Sequence, residues 1–208
     1  DRLVLYRVPS WVEVFEMRGD ADFSSEVWSV AFDPTGIFLA AGDYYKLMVY
    51  RLDTSYFKLA VECRLDDSCD YRSVSFSPDG RLLAAGNLSN TLVVYDTQTW
   101  DIVHRLDHEC DRSELWSVTF SPSGGLLAAG GDANTLAVYS VATWEVVCLL
   151  ESGGAVAFSP DSELLAASNY HYNHSNQMVS VYSASSWRLL EALPHEGAVW
   201  CVSFSPAG

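Results

Sequence analysis

The sequence predicts an all-β protein assembled from one unit of four short strands, repeated about every 44 residues. Three observations predict it. The triplet Phe-x-Pro recurs at Phe32, Phe76, Phe120, Phe158 and Phe204, with spacings of 44, 44, 38 and 46. A tyrosine recurs independently at Tyr6, Tyr50, Tyr95, Tyr139 and Tyr182, spaced 44, 45, 44 and 43. Apolar residues come in short alternating runs rich in β-branched and aromatic side chains, and no segment sustains a helical period with caps. Two anchors sharing one period establish a structural repeat.

Each element of the unit follows from its residues. The first strand reads VWSVAF, YRSVSF, LWSVTF or VWCVSF, and its alternation suits a half-buried strand. The turn DPTG, SPDG, SPSG or SPDS follows, in which proline presets φ and glycine takes a left-handed position at little cost. The second strand, LAAG or LLAAG, carries alanine where sheets approach too closely for bulk. The third, TLVVY or TLAVY, ends on the anchor tyrosine, and the fourth opens with a tryptophan five residues later. The pairs Tyr6/Trp11, Tyr95/Trp100, Tyr139/Trp144 and Tyr182/Trp187 share one turn, and a packing role explains their repetition better than ligand stacking.

Four strands at this period describe the blade of a β-propeller. The run His195-Glu-Gly-Ala-Val-Trp-Cys-Val-Ser-Phe-Ser-Pro, together with residues 77–96, resembles the WD-repeat family, and the resemblance spans the chain. It implies boundaries of 18–62, 63–106, 107–150 and 151–193 for four full blades. Residues 1–17 then form a partial blade and 194–208 the first strand of the next, nineteen strands of an incomplete ring. It also implies scaffold roles for Tyr50, Tyr95, Trp100, Tyr139, Trp144, Tyr182, Trp187 and His195. This chain departs from the family where Trp-Asp becomes Tyr50-Arg51, Tyr95-Asp96, Tyr139-Ser140 and Tyr182-Ser183. The turn aspartate that fixes the family's histidine is replaced by Ser89 and Ala133. At most a partial Asp–His–Ser/Thr–Trp network is therefore expected, leaving the blades to apolar packing.

Composition limits function. A net charge of −15 disfavours nucleic acid and anionic membranes and favours a basic partner. No apolar stretch is long enough for a membrane helix. Five cysteines, odd in number and without C-x-x-C spacing, point to reduced thiols and an intracellular protein, cytoplasmic or nuclear. Motifs for nucleophilic, phosphate or metal chemistry are missing, so no cofactor, metal or catalytic residue is expected.

Three features carry the binding expectation. The connectors from fourth to first strands hold twelve of the 27 acids in 33 residues, against three arginines. Asp20, Asp22, Asp67, Asp70, Asp111 and Glu114 are the candidates for an electronegative rim, against a bland reading as solvated loops. The connection 169–178 is about five residues longer than its counterparts and displays Tyr170, His171, Tyr172 and His174. Trp28, Trp116 and Trp200 recur four residues before the anchor phenylalanine, where Arg72 and Gly154 stand in other copies; inter-blade packing and partner contact both fit them. The expectation is a non-enzymatic scaffold that binds a protein or peptide. A catalytic propeller with a channel-lining acid–base pair and a structural subunit of a larger assembly are the alternatives.

Overall fold

In the computed structural model the chain is described over residues 2–18, 26–53, 58–66, 70–107, 114–131, 135–169 and 177–207. All regular structure there is β. Strands β1 (Arg2–Arg7) and β2 (Val12–Arg18) form a two-stranded sheet. Four antiparallel meanders follow, each a blade. The first holds β3 (Val27–Phe32), β4 (Phe38–Asp43), β5 (Leu47–Asp53) and β6 (Lys58–Asp66). The second holds β7 (Tyr71–Phe76), β8 (Leu82–Asn87), β9 (Thr91–Asp96) and β10 (Ile102–Asp107). The third holds β11 (Leu115–Phe120), β12 (Leu126–Gly131), β13 (Leu136–Ser140) and β14 (Val146–Leu150). The fourth holds β15 (Val156–Phe158), β16 (Leu164–Ser168), β17 (Gln177–Ser183) and β18 (Leu189–His195).

The first strands stack on one another, β3 on β7, β7 on β11 and β11 on β15, so they line the axis of the arc. Between blades lie three apolar clusters, each drawing on two neighbours. One joins Ala40, Leu47 and Val49 to Val74, Phe76, Leu83 and Tyr95; the next joins Ala84, Leu92 and Val94 to Val118, Phe120 and Tyr139. The third joins Leu136 and Val138 to Phe158, Leu165 and Tyr182. The arc is open. Val30 and Phe32 on β3 are 48% and 45% exposed, whereas their counterparts Val74, Phe76, Val118, Phe120, Val156 and Phe158 are buried.

The turns form as their residues dictate. Gly36, Gly80 and Gly124 take φ of +71°, +72° and +76°, and Ser162 takes +64° where glycine is replaced. The residue before the proline closes each turn: Phe38 N–H donates to Asp33 Oδ1 at 2.7 Å, and Leu82, Leu126 and Leu164 N–H donate to the hydroxyls of Ser77, Ser121 and Ser159. These side-chain bonds replace a ladder that the proline interrupts.

The tryptophan turn differs from expectation in its backbone. Trp11, Trp100, Trp144 and Trp187 lie outside the fourth strands, one or two residues before them, and all are left-handed with φ between 52° and 62°. Each donates its N–H to the carbonyl four residues back, on Arg7, Asp96, Ser140 or Ser183, at 2.7 Å. Such a conformation costs a bulky residue roughly 1–2 kcal/mol. The ring compensates by reaching the preceding blade. Trp100 meets Phe38 edge-on at 5.3 Å, and Trp144 stacks on His104 at 4.3 Å. The pair is thus a stitch between blades as well as a cross-turn contact: Tyr95 with Trp100, Tyr139 with Trp144 and Tyr182 with Trp187 share the inter-blade clusters. Trp11 is exposed.

The nineteenth strand is a correction. Residues 198–205 keep the first-strand sequence but are paired in no sheet among the described residues. The fourth strand of the last blade also runs on to His195, so Pro194 and His195 belong to β18 and His195 is exposed.

Replacing Trp144 by alanine is expected to lower stability by roughly 3 kcal/mol through the lost ring contacts. Glycine at the same position should recover about 1 kcal/mol of that, because it relaxes the left-handed backbone. Paired denaturant melts decide it, and an alanine variant as stable as the glycine variant contradicts the account.

Candidate functional site at the mouth of the axis

One backbone irregularity builds the site. In β3 the register runs Val27↔Asp43 and then Ser29↔Gly42, leaving Trp28 as an extra residue. The same bulge leaves Arg72 extra between Tyr71↔Asn87 and Ser73↔Gly86, and Trp116 extra between Leu115↔Gly131 and Ser117↔Gly130. A bulge breaks the alternation and re-aims a side chain. Here it turns Trp28, Arg72 and Trp116 toward the axis, at the end of the strands where the fourth-to-first connectors enter.

The serine beside each bulge secures the spacing of blades. Val74 N–H donates to Ser29 Oγ at 3.1 Å, Val118 N–H to Ser73 Oγ at 2.9 Å, and Val156 N–H to Ser117 Oγ at 3.1 Å. These bonds fix each first strand to its predecessor at the level of the bulged side chains. In the fourth blade Ala155 takes the serine's place and Gly154 the bulged residue's, with φ of +96°.

The re-aimed side chains line a cavity of about 500 Å³, with Trp28, Arg72, Glu114, Trp116, Gly154 and Trp200 in its wall. Arg72 lies on Trp28, its guanidinium carbon 3.7 Å from the ring centroid. Trp116 and Trp200 are near-parallel, 6.2 Å between centroids and 30° between planes. Trp116 Nε1–H donates to Glu114 Oε2 at 2.9 Å. Asp70 stands nearby: burial pushes its carboxyl up, Arg72 pulls it down, and Glu114 and Asp43 push it further up.

The structure therefore brings together Trp28, Arg72, Trp116, Trp200 and Glu114, and sets Asp70 within their electrostatic reach. Asp20, Asp22, Asp67, Asp111, Tyr170, His171, Tyr172 and His174 lie outside the described residues. The long connection that carries the last four is clamped at its base. Asn169 N–H donates to the Met178 carbonyl at 3.0 Å, and Met178 N–H returns to Asn169 Oδ1 at 2.7 Å. Among the described residues no group of three His, Cys, Asp or Glu side chains could hold a metal. No helix is long and apolar enough to cross a membrane.

Two contributions escaped sequence reasoning. The serines Ser29, Ser73 and Ser117 read as strand residues, although their recurrence after Trp28, Arg72 and Trp116 marks them. Gly131 is the other. Its counterparts Asp43, Asn87 and Asn169 carry side chains, and Asp43 and Asn87 accept two backbone N–H bonds each from the following turn. A Cβ on Gly131 would stand 2.0 Å from the Glu114 carbonyl oxygen. The missing side chain makes room for the Glu114 main chain. That break in the Asp/Asn column was visible in the sequence.

Gly131→Ala is expected to displace Glu114 and release the Trp116 indole, changing tryptophan fluorescence and costing about 1–3 kcal/mol. Unaltered emission and stability would contradict this account of Gly131.

Comparison with known proteins agrees with the fold. The profile described as "WD domain, G-beta repeat" matches residues 12–50, 65–96 and 100–140, more than half of the chain. No curated protein sequence matches significantly. Among solved structures, Kuenenia stuttgartiensis hydrazine synthase is similar with a TM-score of 0.71 at 18% identity, over 86% of this chain and 53% of that one. At that identity the likeness concerns the fold alone, and this chain spans about half the length of that one. The repeats, the radial stacking and the profile match lead to one conclusion: the chain belongs to the WD-repeat family.

Proposed function

We propose that this chain is a non-enzymatic scaffold that receives a basic peptide segment of a partner protein at the mouth of the axis. WD repeats commonly serve protein interaction, and that coarse role is supported by the family match. The observation that carries the finer reading is the convergence of Trp28, Trp116 and Trp200, from three separate blade positions, on one cavity with Glu114 and Asp70 beside it. Aromatic faces attract cations through their quadrupole, and nearby carboxylates add to the attraction. A chain charge of −15 steers such a partner in from a distance.

This reading includes an intracellular setting, supported by the odd cysteine count. Cys63 fits it: burial first, and Glu62 second, push its thiol up to about 11, so it stays protonated and slow to oxidise.

Titration of the complete chain with lysine- and arginine-rich peptides tests the proposal. Binding should weaken several-fold when salt is raised about threefold, because exposed charges are screened within a Debye length. Trp116→Ala should cost about tenfold in affinity, and Trp11→Ala, at the opposite end of the strands, nothing. Affinity indifferent to salt and to Trp116 defeats it.

A further inference from the structure

An arginine in a site for a basic partner is a contradiction that needs a physical answer. Trp occupies the bulged position in the first and third blades, and Arg72 takes it in the second. The guanidinium carbon sits over the Trp28 ring, 3.7 Å from its centroid. Face-on stacking leaves the in-plane N–H edges free for hydrogen bonds. Yet Arg72 Nε is buried and meets no acceptor among the described residues. A buried charged donor without an acceptor is costly, and native proteins seldom leave one unless something else supplies the oxygen.

The surroundings decide what kind of oxygen. Glu114 shares the cavity wall with Arg72, and Asp70 lies within electrostatic reach of it, so two carboxylates already stand near the single guanidinium. A further carboxylate would be repelled by that surplus, whereas a neutral carbonyl oxygen would not. Every peptide carries such oxygens along its main chain, spaced so that a side chain is always adjacent.

We propose that Arg72 is the main-chain anchor of the bound peptide: its guanidinium, held by Trp28, donates from Nε to a neutral backbone carbonyl, while a neighbouring cationic side chain of the peptide lies against Trp116 and Trp200. The inference rests on the peptide-binding reading above and deepens it. Arg72 then acts as an oriented donor instead of a competing cation. The balance of charge also follows, since the surrounding acids neutralise Arg72 and retain a surplus for the peptide's own cation.

The test uses the complete chain and a blocked nonapeptide of alternating arginine and glycine, with each backbone carbonyl converted in turn to a thiocarbonyl, a poor acceptor. Calorimetry should find one position whose conversion weakens binding about tenfold to the parent. Arg72→Met should weaken the unmodified peptide about tenfold to a hundredfold, and the thiocarbonyl should then cost nothing more, which is the signature of a direct pair. Arg72→Lys, which keeps the charge, should restore affinity only in part, and melting curves confirm that each variant is folded. Tighter binding by Arg72→Met, or a thiocarbonyl penalty that persists without Arg72, overturns the anchor while leaving the peptide reading intact. Binding through Arg72 only when the peptide ends in a free carboxylate also overturns it. Failure of the parent to bind any such peptide removes both.

Discussion

The structure depends on how closely each blade's first strand approaches the second strand of the blade before it. A Cβ on Gly42 would lie 2.7 Å from the Tyr71 carbonyl oxygen, one on Gly86 2.9 Å from Val118 Cγ1, and one on Gly130 2.9 Å from the Gly154 carbonyl oxygen. No side chain fits there, which is why β4, β8 and β12 read Ala-Ala-Gly. The approach lets Ser29, Ser73 and Ser117 accept backbone bonds across the gap, and it seals Val74, Phe76, Val118 and Phe120 from water. Stability in such a stack is a sum of blade and neighbour terms, so the loss of one neighbour is local. On the first blade Leu3 of β1 covers Leu39, Ala41, Met48 and Tyr50, while Val30 and Phe32 on β3 stay exposed with no first strand stacked before them among the described residues.

The same proximity makes the strained tryptophan turn tolerable. A left-handed tryptophan is unfavourable alone, but the turn aims its ring at the preceding blade, where Phe38 or His104 receives it. Contact energy on the outside of the interface and close backbone approach on the inside hold the wedge angle between blades. Polar bonds enter chiefly as turn closures, from Asp33, Ser77, Ser121 and Ser159 below and from Asp43, Asn87 and Asn169 above.

The fold was legible because its determinants are local and periodic. Phe-x-Pro, the turn glycines and Ala-Ala-Gly each impose a backbone or packing requirement that repeats with the blade. The departures have local causes too. A bulge adds one residue without changing composition, so Trp28, Arg72 and Trp116 read as ordinary alternation until their register with Asp43, Asn87 and Gly131 is seen. The left-handed tryptophans were unreadable because propensity places glycine or asparagine there. Residues 198–205 have the pattern of a first strand, but a pattern becomes a strand only when a partner supplies the ladder. Of the candidate site, the residue types were visible and their convergence was not, since five side chains distant in sequence meet only after stacking.

Function in a repeat protein arises where the repeats disagree. The bulge delivers the same position from three blades to the axis, and Gly154 and Trp200 line it from the equivalent sequence positions, so identical residues would make a cavity with no preferred orientation for a ligand. Here the successive occupants are Trp28, Arg72, Trp116, Gly154 and Trp200. Gly154 contributes no side chain and leaves an open side. Trp116 and Trp200 stand near-parallel at 6.2 Å and offer flat apolar faces. Arg72, on Trp28, places a directional donor on the remaining side. Gly131 lets the Glu114 main chain settle where a side chain would otherwise stand, which brings its carboxylate to Trp116. Scaffold regularity sets the distances, and these few irregular residues convert a ring of equivalent positions into a pocket with a polar wall, an aromatic wall and an entrance.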